Sequence, residues 1–394
     1  MRYGPMYFLF LLGTTVACAG CSDDETTVNQ LHVDAVSQYA MVAEKAYSDS
    51  VSTAQALQTA VDAFVDAPSA TTLQAAKDAW LASREPYLQT EVYRFYEGPI
   101  DNETDGPEGL LNAWPMDENH IDYTLDANGA VVTSGLINDA SFEINEANLE
   151  SKNEDGGEKN IATGYHAIEF LLWGQDLSDT GPGDRPFTDF VTDGSGTAEN
   201  QDRRGLYLKT SAALLVKHLQ QVHDQWKADG AYRQSFTSGD PKLSLEKILT
   251  GMIVLAGFET GGERLQAALD SQDREDEHSC FSDNTHRDMI QDIQGIQNVF
   301  LGSYSGTMAG VGMKDVIAEV DSAIAASLET EIADALAKGN DLVVPFEAEI
   351  APGNTEGNNR VQALIDSLTT VEASLQSVFG QMNFEVPADA LEFE

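Results

Sequence analysis

Apolar residues in this chain recur at steps of three and four, and that spacing confines it to helical packing more firmly than any other feature. Val361, Leu364, Leu368, Val371, Leu375 and Val378 draw one stripe near the end of the chain. Ile317, Val320, Ile324, Leu328 and Ile332 draw another just before it. Leu57, Val61, Phe64 and Val65 keep one face, as do Tyr207, Leu215, Leu219, Val222 and Trp226, and also Ile248, Met252, Leu255 and Phe258. Strand-like alternation is nearly confined to short runs at 130–132 and 342–344, so the expected class is all-α.

With 394 residues, 42% of them hydrophobic, the chain is long enough for two helical domains with substantial cores. Two stretches rich in Gly, Asn, Asp and Glu, 98–159 and 174–202, interrupt the helices as long loops, which in a compact domain tend to be functional or covering elements. The second loop is the natural boundary. The expected organisation is two packed four-helix-bundle-like domains, 31–198 and 199–384.

The N-terminus has Arg2 before an apolar run, then small residues and Ala17-Cys18-Ala19-Gly20-Cys21, the pattern of an export signal. A small-small-Cys ending suits lipoprotein processing, which makes residues 1–21 a leader and Cys21 the lipidated residue. Cys18 is the rival acceptor, and secretion without a lipid is the third alternative. The polar segment 22–30 then reads as a tether from membrane to domain. Of the three cysteines, Cys280 would stand alone after processing, so no intramolecular disulfide framework is expected. The formal charge of −43 opposes nucleic acid as a partner and raises the local concentration of cations, although a surface adapted to salty water would look the same.

The sharpest chemical signal is the run Gly164-Tyr165-His166-Ala167-Ile168-Glu169-Phe170-Leu171-Leu172-Trp173-Gly174. His166 and Glu169 lie three apart on a helix that is apolar on every other side, so imidazole and carboxylate share a face and can hold one cation. An ionised Glu in such a helix is costly without a cation or several donors, although a simple His–Glu hydrogen bond is the plainer alternative. Trp173 shares their face.

A second helix shows a similar anomaly. Leu73, Ala76, Trp80, Tyr87, Leu88 and Phe95 form its stripe, and Arg84 and Glu91 fall on that stripe two turns apart. Glu91 is thus a candidate further metal ligand and Arg84 a clamp for a carboxylate or anion, with an interhelical salt bridge as the alternative. Glu97 and Asp101, among aromatic residues just beyond, suggest a lined pocket or a loop anchor. A third cluster, Glu277-His278-Ser279-Cys280-Phe281-Ser282-Asp283-Asn284-Thr285-His286-Arg287-Asp288, supplies His278, Asp283 and His286 as site candidates. Its plainer account is a helix start, with Asn284 or Thr285 as N-cap and Asp288 in the first turn. The HExxH pair of common zinc peptidases, a phosphate-cradling glycine loop and a GxSxG elbow do not occur.

These residues resemble the imelysin-like family, and within it the iron-regulated protein A type. The resemblance rests on Gly164, His166 and Glu169 as a GxHxxE motif, reinforced by the segments 80–101, 114–123 and 277–288, and extends over nearly the whole processed chain. It implies two similar four-helix bundles with a site at their interface, and a bacterial envelope protein taking part in iron uptake. The implied ligand is a divalent or ferric metal ion, iron foremost with zinc as an alternative, or a small chelate. The implied partners are the membrane, through the lipid anchor, and an outer-membrane receptor or iron transporter. The family's former place among metallopeptidases leaves a hydrolase as the alternative, but hydrolysis needs three protein ligands and an open position, and only His166 and Glu169 stand out here. A structural or adhesive role with a vestigial site is the third.

Overall fold

The computed structural model of the chain describes residues 29–178 and 180–384. The leader with Cys18 and Cys21, and most of the tether, lie outside the described residues. Helices dominate, and the strands are two two-residue antiparallel ribbons: Thr124–Leu125 with Val131–Val132, and Ser303–Tyr304 with Met308–Ala309. Val131 and Val132 are thus strand-like as expected, whereas 342–344 is not, and Val343 and Val344 there are exposed.

Four helices form the first bundle: α1 (Gln30–Asp66), α2 (Ala70–Leu88), α3 (Gly164–Trp173) and α4 (Gln201–Trp226). Asn29 caps α1, and Ser69 with Thr72 forms a capping box that starts α2, so the turn between them satisfies the free amides of the second helix. α1 packs along both α2 and α4, and α3 closes the set against α2 and α4. The loop at 174–202 suggests a division at 198–199, but α4 follows that loop and still packs on α1 and α3. By packing, the first bundle ends after α4. A long covering segment is a weak guide to where a core ends, because the apolar stripe of the helix that follows decides its partner.

The second bundle comprises α5 (Pro241–Val254), α6 (Thr285–Leu301), α7 (Ser322–Asn340) and α8 (Thr355–Gln381). α5 runs on into a π-helical stretch, Leu255–Gln266, in which each turn carries an extra residue. The face expected from Ile248, Met252, Leu255 and Phe258 therefore slips: the first three are buried while Phe258 is exposed, and Thr260 and Arg264 turn inward instead. The stripe from Ile317 to Ile332 likewise belongs to two helices, broken at Asp321, which caps α7; Val320 lies at the break and is exposed. The bundles meet where α2 and the turn after it pack on α6.

No helix among the described residues is long and apolar enough to cross a membrane.

Candidate functional site

The motif helix α3 begins at Gly164, whose φ of +85° is a left-handed conformation. A Cβ there would sit 2.5 Å from the carbonyl oxygen of Leu111, so both backbone and space demand glycine. Gly164→Ala is expected to cost roughly 2–5 kcal/mol, from strain and overpacking together. Urea denaturation measures it, and a loss under about 1 kcal/mol would show that the Leu111 segment yields.

One and two turns into α3, His166 and Glu169 are fully buried. His166 Nδ1 lies 2.9 Å from Glu169 Oε2. The other Glu169 oxygen accepts from the backbone N–H of Ser282 at 3.0 Å and from its hydroxyl at 2.6 Å. Burial pushes the Glu169 carboxyl up to about 8, with Ser282 and Arg84 opposing. Burial, His278 and Arg84 push His166 well below its ordinary value. At neutral pH the pair is therefore uncharged, with the carboxyl proton shared towards Nδ1. His166 Nε2 is buried and has no hydrogen-bond partner.

The ring of His278 stands edge-on to that of His166, with centroids 4.8 Å apart. Its Nδ1 lies 2.7 Å from Asp288 Oδ2, and burial followed by Arg264 lowers its pKa to about 4. Asp288 also accepts from Arg84 at 2.9 Å, Ser279 at 2.5 Å and Asn284 at 3.0 Å, and Arg84 donates in addition to Asn112 at 2.5 Å. Burial would raise the Asp288 carboxyl, but Arg84 and His278 hold it well below the carboxylate range. Trp114 packs on His166, its ring 4.9 Å from the imidazole and 5.8 Å from Phe281. The result is two carboxylate–imidazole pairs facing each other, one from each bundle, each with Nδ1 engaged by its carboxylate, while His278 Nε2 lies 3.5 Å from the Asn112 amide nitrogen.

Glu91 is not on the Arg84 helix. α2 ends at Leu88, shortly after Pro86 removes a backbone donor, and Glu91 opens the 3₁₀ turn Glu91–Tyr93. Its Oε2 accepts from Arg94 and Arg264, each at 2.6 Å, and Arg264 continues to Asp292 at 2.8 Å. Burial opposes its ionisation, but the two guanidinium groups outweigh it and hold the carboxyl at about 2. Glu91 is thus an ionised tie between the bundles, and among the described residues His166, Glu169 and Glu91 do not converge as one ligand set. Arg84 does act as a carboxylate clamp, and its carboxylate is Asp288.

The remaining candidates disperse. Glu97 is exposed. Asp101 anchors its own loop by accepting from the amides of Phe95 and Gly98, the latter at 2.6 Å. Trp173 packs edge-on against Trp80 at 5.3 Å, and with Asp176 and Arg185 it lines a cavity of about 360 Å³ beyond the end of α3. His286 is half-buried at the start of α6, with its Nδ1 unpartnered. Asp283 joins Asp176 and Glu347. Cys280 is buried and free. Sequence spacing gave Asp288 only a capping role and passed over Asn112, Ser282, Arg264 and Asp292. Asp288 and Asp292, four apart on a helix with buried apolar neighbours, were the available signal.

Two four-helix bundles that bury a histidine–carboxylate motif at their junction define a class of all-helical proteins. The chain matches the imelysin family model over residues 43–375 and belongs to that family. It is 26% identical over 305 residues to iron-regulated protein A of Synechococcus elongatus, covering 75% of this chain and 71% of that one. The fold is shared with a Parabacteroides distasonis structure assigned as an iron-regulated protein A precursor (TM-score 0.66, 20% identity, 91% of this chain and 97% of that one). It is shared also with an imelysin-like protein from Psychrobacter arcticum (TM-score 0.62, 13% identity, with the same coverage).

Proposed function

We propose that this chain is an exported, envelope-anchored binding protein for iron, free or as a small chelate, with its site between the facing His166 and His278 imidazoles. The observation that carries the proposal is the buried, unpartnered Nε2 of His166. A polar nitrogen sealed from water without a partner is costly unless a ligand completes it. The donor set fits a metal: Glu169 and Asp288 stand behind the Nδ1 atoms and can orient the rings, leaving His166 Nε2 to hold the ion, with His278 Nε2 as a second donor once it gives up its 3.5 Å contact with the Asn112 amide. Glu169 in this geometry orients His166 rather than ligating directly. Imidazole donors backed by carboxylates suit ferrous or ferric iron and zinc. The name of the Synechococcus relative, iron-regulated protein A, supports iron among the candidates.

Calorimetric titration of the purified protein with ferrous, ferric, zinc and manganese ions tests this. Tight binding that His166→Ala and His278→Ala each weaken by at least about tenfold is the expected result. Binding indifferent to both substitutions would refute the site. Because the His166–Glu169 pair carries a proton up to about pH 8, binding is expected to release it, so that affinity rises with pH below that value.

A further inference from the structure

Away from the facing histidines, a second set of ligand-type side chains converges. Asp176 follows α3, Asp283 precedes α6, and Glu347 lies on the short helix Phe346–Ile350. Each offers a carboxylate oxygen, and these atoms all lie within 4.8 Å of one another. The three residues are 3%, 6% and 8% exposed, so this is not an acidic surface diluted by water.

Two further observations point to a ligand. Asp283 Oδ1 is buried and accepts no hydrogen bond. Glu277, 1% exposed and close enough to feel the charges of Glu347, Asp283 and Asp176, has only the Thr285 hydroxyl near enough to ease its own charge. Arg274 approaches Asp176 at 3.8 Å and is itself a quarter exposed. The crowding shows in the protonation of the site: burial and then Glu347 push Asp283 up to about 7 and Glu277 well above its ordinary value.

We propose that Asp176, Asp283 and Glu347 bind a hard divalent cation, calcium in particular, at a site separate from the His166 cluster. Calcium takes carboxylate oxygens at roughly 2.3–2.6 Å, so oxygens up to 4.8 Å apart can flank one ion. A donor set of oxygen alone, with neither imidazole nor thiolate, selects against zinc and the softer metals. The ion joins the segment after α3 to the loop before α6 and to the second bundle. Asp283 directly follows Ser282, both of whose donors engage Glu169, so a cation that fixes Asp283 also fixes the loop that orients the GxHxxE carboxylate.

Scanning calorimetry of the chelator-treated, otherwise intact protein with added calcium chloride tests the proposal. Saturating calcium is expected to raise Tm by roughly 5 °C. The rise should vanish in Asp283→Asn and in Glu347→Gln and persist in His166→Ala. In chelator, Asp283→Asn should be at least as stable as the parent, because it removes like-charge repulsion; this separates loss of the ion from failure to fold. No response in the parent protein, or a response that survives in both carboxamide variants, overturns the proposal. So does a response lost only in His166→Ala.

Discussion

Asp288→Ala is expected to destabilise the protein by roughly 3–5 kcal/mol, the cost of leaving a buried guanidinium without its counter-ion. Asp288 is fully buried and satisfies four groups at once: Arg84, His278, Ser279 and Asn284. Arg84 comes from the first bundle and the others from the second, so the substitution also loosens the junction. The carboxyl lies well below its ordinary range, so its contribution is full at neutral pH and is lost progressively as the solution is acidified from the ordinary carboxylate value down through the depressed folded one. The double variant Arg84→Met with Asp288→Leu should recover most of the stability, since it removes both charges. Urea denaturation of the metal-free protein provides the measurement. A single-variant loss below about 1 kcal/mol would show that water reaches Arg84 when its partner is removed.

Glu169→Gln should act in the opposite sense on the metal-free protein at alkaline pH. The folded carboxyl is pushed up to about 8 by burial, whereas an unfolded glutamate titrates near its ordinary value. Between those values the folded state holds a proton that the unfolded state has released, so stability falls as pH rises. The slope approaches ~1.4 kcal/mol per pH unit, giving a loss of on the order of 3 kcal/mol between pH 5 and 8. Glutamine has no proton to lose, so the difference between variant and parent should grow across that window. Parallel stability profiles would contradict the burial of Glu169 as an acid. The same substitution should weaken metal binding at His166 by at least about tenfold, since the carboxamide cannot match the carboxylate behind Nδ1.

The elements whose information lies within one helix were legible in the sequence. The stripes of α4 and α8 are buried as their spacing indicated, and His166 and Glu169 share a buried face because a separation of three on a helix dictates it. Arg84 was recognised as a clamp from its place on the α2 stripe, but not its carboxylate, since Asp288 lies 204 residues away and nothing local encodes that meeting. Glu91 was misplaced because the apolar pattern continues through Phe95 even though the helix stops at Leu88; a 3₁₀ turn can keep side chains inward without preserving the helical register. The π-helical stretch after Val254 defeats a 3.6-residue period in the same way, exchanging Phe258 for Arg264 on the inner face. The convergence of Asp176, Asp283 and Glu347 combines three widely separated segments, and only Asp283, within the run from Glu277 to Asp288, stood out in the sequence.

The division of the facing histidine pairs between the bundles bears on how the chain acquires its structure. During synthesis α1 to α4 emerge first, with Arg84, His166 and Glu169 already in place but Ser282, His278 and Asp288 still to come. The first half then carries an uncompensated guanidinium and a half-satisfied carboxyl on the surface that the second half will cover. The earlier half is therefore left incomplete until the later half docks, and a fragment ending after Trp226 should remain loosely ordered around α3.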